Sequence, residues 1–385
     1  MPDFAGSVSS KLPRVGTTIF TVMSKMATEH QAINLSQGFP DFECPPRLIE
    51  LVHKAMKAGH NQYAPMPGVA RLREVIAEKT EALYGTVYNP ETEITVTAGA
   101  TQAIYTAIAA TIREGDEVII FEPAYDCYEP AILLNGGKPV FVSLKAPQYN
   151  IDWNEVKKLV SHHTKMIIIN TPHNPTGAVM SADDMGQLEK LTKDSDIVVL
   201  SDEVYEHILF DGRVHESVAR YPGLASRSFI VSSFGKTFHT TGWKIGYCVA
   251  PKQLMAEFRK VHQFLVFSCN TPMQVACAEF LTNKNHYLEL GQFYQEKRDF
   301  FVNLIRGSRF SMVTAPGTYF QLLQYNSISQ EKDTDFAVRV LKDNGVAAIP
   351  ISVFYHKPVY DQMLRFCFAK KNETLEKAAE QLMKI

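Results

Sequence analysis

The sequence predicts an α/β fold, with a large domain built on a mainly parallel central sheet and a smaller α+β domain. Two observations carry this expectation. From about residue 94, short β-branched runs alternate with Ala-rich stretches of helical character. Several of the runs (VIIF, MIII, IVVL) are apolar throughout, without the alternation of a sheet that faces water on one side. A strand covered by helices on both faces has that composition, and strand–helix–strand at this spacing means βαβ units.

In chain order the strand candidates are Ile94–Thr97, Glu117–Phe121, Pro139–Ser143, Met166–Asn170, Ile197–Ser201, Phe229–Ser232 and Ile245–Val249. Helical patterns between them cover Thr101–Arg113, Trp153–His162 and Ala182–Lys193. Residues 1–45 are turn-rich and read as an N-terminal arm with part of the small domain. Residues 46–279 form the large domain and residues 280–385 the C-terminal small domain. The latter carries helices His286–Arg306, Asp333–Asn344 and Glu373–Lys384, with strands around Thr318–Leu323 and Leu364–Phe368.

The 385 residues are 45% apolar and 21% charged, enough to bury a sizeable core. Lys and Arg number 39 against 41 Asp and Glu, a net charge of −2, which lacks the basic footprint of a nucleic-acid binder. No run approaches the ~18 apolar residues of a membrane span, and the N-terminus lacks the apolar core of a secretory leader. The six cysteines contain no C-x-x-C pair, against a zinc cage or disulfide framework. The expectation is a soluble, reduced, cytoplasmic enzyme with no metal, no nucleic-acid partner and no membrane partner.

Ligands of open parallel sheets bind beyond the carboxyl ends of the strands, so the segments that follow each strand carry the chemistry. After Ile94–Thr97 comes Ala98-Gly99-Ala100-Thr101, a small-residue turn opening a helix. Its free N–H groups suit a phosphate, although a simple tight turn gives the same sequence. After Ile197–Ser201 comes Asp202, which either caps the next segment or meets a cation or donor. After Phe229–Ser232 comes Ser233-Phe234-Gly235-Lys236-Thr237. This is no Walker A loop, because position 230 is Ile230 rather than glycine. A lysine at an apolar strand exit either snorkels or becomes, on burial, an amine nucleophile. After Met166–Asn170 comes Thr171-Pro172-His173-Asn174-Pro175-Thr176-Gly177, ordinary turn chemistry in which His173 reads as structural and Asn174 can hold an oxygen. Arg365, inside the apolar run Leu364–Phe368, needs an anion, either a bound carboxylate or an internal partner.

A lysine for a Schiff base, an acid for a pyridinium nitrogen and a phosphate cradle are together what pyridoxal phosphate requires. Over essentially its whole length the chain also resembles the fold-type I, class I/II aminotransferases that use this cofactor. The likeness is strongest to the bacterial methionine aminotransferase and kynurenine–oxoglutarate aminotransferase/cysteine-conjugate β-lyase branches. It is carried by Leu35-Ser36-Gln37-Gly38-Phe39-Pro40-Asp41-Phe42, Asn61-Gln62-Tyr63, Thr97-Ala98-Gly99-Ala100, Asn174-Pro175-Thr176-Gly177, Ser201-Asp202-Glu203-Val204-Tyr205, Ser232–Phe238 and Arg365-Phe366-Cys367-Phe368.

The resemblance implies pyridoxal 5'-phosphate as cofactor, with Lys236 as its Schiff-base lysine and Asp202 as the pyridinium partner. By the same resemblance Tyr205 and Asn174 bond the 3-hydroxyl oxygen, Tyr125 stacks on the ring, and Ala100, Thr101 and Ser233 hold the phosphate. Tyr63 reaches the phosphate of a neighbouring subunit, implying a homodimer with shared sites. Arg365 and Asn174, with the Gly38 backbone, bind the substrate carboxylate. Phe20, Tyr63, Tyr125, Phe267 and Tyr319 make an apolar, aromatic pocket. One position departs from the broad pattern: eight residues after the lysine, where that pattern has arginine, stands Lys244. It pairs with phosphate as a point charge only. The implied reaction moves the amino group of an apolar or aromatic L-amino acid donor, methionine foremost, to a 2-oxo acid acceptor. A cysteine-conjugate β-lyase is the alternative within the same cofactor chemistry, and a non-catalytic regulator on the same fold is the alternative outside it.

Overall fold

A computed structural model describes residues 6–357 and 359–385; the first five residues of the expected N-terminal arm lie outside the described residues. Its centre is a seven-stranded sheet made of β1 (Ile94–Thr97), β2 (Glu117–Glu122), β3 (Lys138–Ser143), β4 (Thr164–Asn170), β5 (Val198–Asp202), β6 (Ser228–Ser233) and β7 (Gly246–Val249). The spatial order is β1-β7-β6-β5-β4-β2-β3. Strands β2 to β6 pair in parallel, and β7 runs antiparallel to both β1 and β6.

The apolar runs form these strands because both faces are covered. In β2 and β4, Ile119, Ile167 and Ile169 enter one core while Val118, Ile120, Met166 and Ile168 enter the other. That is the period-2 alternation of a strand between two helical layers. Strand β7 reverses direction for a local reason. Residues 234–245 hold only a one-turn helix (Phe234–Thr237) and a 3₁₀ turn (Thr241–Trp243). That is too little helix to return the chain to the far end of the sheet, as a parallel crossover requires. The reversal brings the start of β7 to the carboxyl ends of β1 and β6, where Gly246 is opposite both Thr97 and Ser233.

The helix expected at Thr101–Arg113 runs from Gly99 to Thr111 and lies against β6 and β7. The helix starting at Trp153 ends at Leu159, because Val160 turns extended and the following residues close a turn through Thr164. The helix at Ala182–Thr192 is opened by a reciprocal capping box between Ser181 and Asp184. The long helix expected at His286–Arg306 is two pieces, Asn285–Leu288 and Leu290–Leu304. The break places Gly291 where an added Cβ would lie 3.0 Å from the Leu209 carbonyl oxygen.

Towards the C-terminus, β8 (Phe320–Gln324), β9 (Ile349–Pro350) and β10 (Met363–Cys367) form an antiparallel sheet in the order β9-β10-β8. The N-terminal residues Ile33–Asn34 pair in parallel with Val346–Ala347, and the Cys367 amide donates to the Leu35 carbonyl at 2.8 Å. The strand carrying Arg365 is thereby held beside Ser36, Gln37 and Gly38.

Candidate active site

The carboxyl ends of β1, β4, β5 and β6, with the start of β7, surround one cavity. Ala100, Thr101, Tyr125, Asn174, Asp202, Tyr205, Ser233, Lys236 and Lys244 all line it. Residues from six separate segments thus meet because the sheet brings its strand ends to one edge.

One end of the cavity is built to hold an anion. Helix Gly99–Thr111 points its first amides into it, and Lys244 lies against the same turn. Gly99 has φ +76°, and a Cβ there would lie 3.1 Å from Lys244 Cε and Nζ, so only glycine fits without displacing the lysine. Gly246 is equally constrained: its Cβ would meet the Ser232 carbonyl oxygen at 2.7 Å and the Ala100 nitrogen at 3.0 Å. Lys244 itself is in the left-handed region at φ 55°. Ser233 caps the Lys236 turn, its Oγ accepting from the Gly235 amide at 3.2 Å.

The other end holds an acid. Asp202, 3% exposed, accepts from the Tyr128 hydroxyl at 2.6 Å and from the Val204 amide at 3.3 Å. Burial pushes its carboxyl up to about 6, against the pull of those two hydrogen bonds.

Lys236 lines the same cavity and feels both Asp202 and Lys244. Its Nζ donates to the Tyr319 hydroxyl at 2.7 Å and the Gly38 carbonyl at 2.9 Å. Burial pushes its ammonium down to about 8; Arg365 and Lys244 act the same way, and Cys367 and Asp202 oppose them. The shift brings its free amine within easier reach near neutral pH than that of an ordinary lysine, as a nucleophile or base requires.

Arg365 is 1% exposed. Its Nη1 donates to Asn174 Oδ1 at 2.7 Å and its Nη2 to the Ser36 carbonyl at 3.1 Å. The guanidinium carbon lies 3.9 Å from the Phe320 ring centroid, 5.2 Å from that of Phe20 and 5.5 Å from that of Phe354. Its Nε has no partner and its other bonds go to an amide and a carbonyl oxygen, so no carboxylate neutralises the group at hydrogen-bond distance among the described residues. A buried cation with idle donors in a planar fork is poised for a carboxylate.

The sequence profile of the family "aminotransferase class I and II" matches residues 30–382. This chain belongs to that family. Methionine aminotransferase of Escherichia coli is 51% identical to it over 98% of each chain. Human kynurenine–oxoglutarate transaminase 1 is 34% identical over 94% of each. Among solved structures, Escherichia coli YbdL, reported with a methionine aminotransferase function, superposes with a TM-score of 0.97 at 51% identity, covering 98% of this chain and 100% of its own.

Other residues of this aminotransferase lie outside the cavity or have roles that their local sequence does not signal. Tyr63 is 80% exposed and outside the cavity, its ring 5.2 Å edge-on from Phe267, which is also partly exposed. His173 lies away from the cavity, bonded to Thr176 Oγ1 at 2.6 Å, and burial pushes it down to about 4, as a structural histidine. Tyr128, the donor to Asp202, escaped sequence reasoning because it sits in the apolar face of helix Tyr128–Leu134 and carries no local polar signal. Asn170 ends a strand in the sequence pattern and gives no further signal there; its Oδ1 accepts from the Asn174 amide at 2.8 Å and its Nδ2 donates to the Asp202 carbonyl at 2.9 Å. Tyr319, expected as an apolar wall, instead uses its hydroxyl on Lys236.

Proposed function

We propose that this aminotransferase holds pyridoxal 5'-phosphate in the cavity and moves the amino group of an apolar or aromatic L-amino acid, methionine foremost, to a 2-oxo acid. The observation that carries the reading is the polarity of the cavity. A lysine whose ammonium is weakened by burial shares the cavity with a buried carboxylate and with a helix N-terminus that carries a second lysine. That donor set suits a planar cation with a phosphate tail. The cradle around Gly99 and Gly246, where a Cβ would intrude, suits a phosphate close to backbone amides.

When bound, the cofactor supplies an electron sink that stabilises negative charge at the substrate Cα. Asp202 would keep a proton on the ring nitrogen through an ion pair, with Tyr128 orienting the carboxylate. Ala100, Thr101, Ser233 and Lys244 would hold the phosphate, Tyr125 would cover the ring, and Tyr205 with Asn174 would bond its hydroxyl oxygen. Lys236 would bind the cofactor covalently through Nζ. As the amine nearest the reacting end of the cavity, Lys236 would be the base that takes the substrate Cα proton and the acid that gives a proton back. Arg365 would fix the substrate carboxylate with its idle donors, Asn174 and the Gly38 backbone completing that end.

The adjoining cavity supports the substrate class. It shares Tyr125 with the first, is walled by Phe20, Phe141, Phe354 and Tyr355, and has Asp126, Glu129 and His356 but no arginine or lysine among its described lining residues. Apolar side chains are matched there, and a distal carboxylate is not. A second copy of the chain is supported by the exposed aromatics Tyr63, Phe264 and Phe267. We read the enzyme as a homodimer in which Tyr63 serves the partner's phosphate site. Six free cysteines fit a reducing cytoplasm, and no helix among the described residues is long and apolar enough to cross a membrane. The division into an arm (1–45), a large domain (46–279) and a small domain (280–385) belongs to the same reading.

The test is an absorbance spectrum of the purified protein, followed by L-methionine without any acceptor. A visible band that converts stoichiometrically to the amino form of the cofactor is expected. Absence of the band after incubation with pyridoxal phosphate would refute the cofactor. A band that methionine leaves unchanged would refute the donor.

A further inference from the structure

Outside the cavity, a carboxylate, an ammonium and three hydroxyls are buried together. Lys79 and Glu206 are each 4% exposed, with Nζ and Oε2 2.7 Å apart. Glu206 Oε1 accepts from Ser232 Oγ at 2.6 Å and from the Tyr247 hydroxyl at 3.0 Å. Its Oε2 also accepts from the Tyr84 hydroxyl, and Lys79 Nζ donates to the Tyr247 oxygen at 2.9 Å. None of the five residues lines the cavity.

Their places in the chain are informative. Glu206 follows Tyr205, Ser232 precedes Ser233, and Tyr247 follows Gly246. Within β6 and β7 successive residues point to opposite sides, whereas Tyr205 and Glu206 lie together in the turn that follows β5. Ser232 and Tyr247 are directly paired across β6 and β7, one step from the Ser233–Gly246 pair beside the phosphate turn. Each of three segments that shape the cavity therefore has its next-door residue tied to one carboxylate. Lys79 and Tyr84 tie that carboxylate in turn to helix Ala70–Tyr84.

A buried ion pair is a poor source of net stability, because desolvating two charges offsets their attraction and apolar replacements are often neutral or stabilising. What a fully bonded carboxylate supplies is direction. Burial alone would raise the Glu206 carboxyl, but the Lys79 ammonium overrides it and holds it well below the usual carboxylate range. Burial likewise works against the Lys79 charge, and Glu206 keeps it charged.

We propose that Lys79 and Glu206 are positioning residues, which with Ser232, Tyr247 and Tyr84 form a buried clamp that fixes Tyr205, Ser233 and the Gly246 edge of the phosphate turn relative to one another. The clamp touches neither cofactor nor substrate, and it acts on Lys236 through Ser233, three residues upstream. The inference rests on the cofactor reading above.

The test replaces both charges at once, Lys79→Met with Glu206→Leu, so that neither is orphaned. Thermal unfolding reports the fold. Titration of the apoprotein with pyridoxal phosphate reports affinity, and induced circular dichroism reports ring orientation. The expected result is a cooperative melting transition still well above the assay temperature, though lowered by the three hydroxyls that lose their acceptor, a Kd for the cofactor raised by about tenfold, an altered induced signal, and kcat lowered by about tenfold or more with KM for methionine moving less. A folded double variant with wild-type affinity, signal and kcat overturns the proposal. If the double variant does not fold, Tyr247→Phe decides, since it removes one tie and orphans no charge: smaller changes in the same readouts support the clamp, and none overturns it. Wild-type protein is titrated in parallel, and its failure to bind the cofactor would overturn the cofactor reading itself.

Discussion

Replacing Arg365 by lysine isolates what the guanidinium fork does beyond carrying charge. In the folded chain two of its N–H groups are committed, to Asn174 Oδ1 at 2.7 Å and to the Ser36 carbonyl at 3.1 Å, while Nε is idle. A lysine keeps the charge but has three donors around one nitrogen. It cannot serve both protein acceptors and two carboxylate oxygens. Loss of one charge-assisted hydrogen bond to the substrate is worth about 1.5–3 kcal/mol, which is about ten- to a hundredfold in kcat/KM. Alanine would be a poorer probe, because it leaves two buried acceptors unpaired and a void among Phe20, Phe320 and Phe354. The assay follows the cofactor absorbance after mixing with L-methionine, and separately with 3-(methylthio)propylamine, the same amine without its carboxylate. Arg365→Lys should slow the first and leave the second nearly unchanged. An equal loss on both substrates, or full activity on methionine, would refute the assignment of Arg365 to the carboxylate.

Three further outcomes are expected. Lys236→Ala should abolish turnover and leave no covalent cofactor adduct by mass spectrometry after borohydride reduction; turnover above a trace would remove its catalytic role. Asp202→Asn should lower turnover by several orders of magnitude while stabilising the apoprotein in alkali. The carboxyl is raised from 3.8 to about 6 on folding, so the stability it contributes is complete below its unfolded pKa and lost as pH rises through about 6. A shift of about two units is worth about 3 kcal/mol, so urea unfolding should find the variant apoprotein up to that much more stable at pH ~8, the advantage vanishing below pH ~4. Equal stabilities at both pH values would contradict the burial argument. Gly99→Ala should cost about 1–2 kcal/mol for the left-handed backbone and weaken cofactor retention by driving a methyl group against Lys244; an unchanged Kd for pyridoxal phosphate would remove the phosphate from this turn.

Much of this was legible in the sequence because strand exits are local. A β-branched run followed by Asp202, by Ser233-Phe234-Gly235-Lys236 or by Ala98-Gly99-Ala100 announces its own functional end, and the expected strands lie within two residues of the observed ones at every end. The departures are also physical. Strand β7 runs antiparallel because residues 234–245 are short of helix, which the apolar character of Ile245–Val249 does not register. Tyr128 and Asn170 carry no local signal, because one lies on an apolar helix face and the other ends a strand, and their bonds to Asp202 join segments 74 and 32 positions apart.

By itself the sequence determined which residue types stand at the strand ends, and therefore the site's chemistry: an amine, an acid, a small-residue helix start and an arginine inside an apolar run. The tertiary structure decided how they are used. It set Lys236 on Tyr319 and Gly38, left Nε of Arg365 without a partner, turned Asp202 towards Tyr128 and gathered Lys79, Tyr84, Ser232 and Tyr247 on Glu206. Those contacts join residues dozens to hundreds of positions apart. Their charges and protonation states follow from burial and proximity, which arise only when the sheet brings its strand ends together.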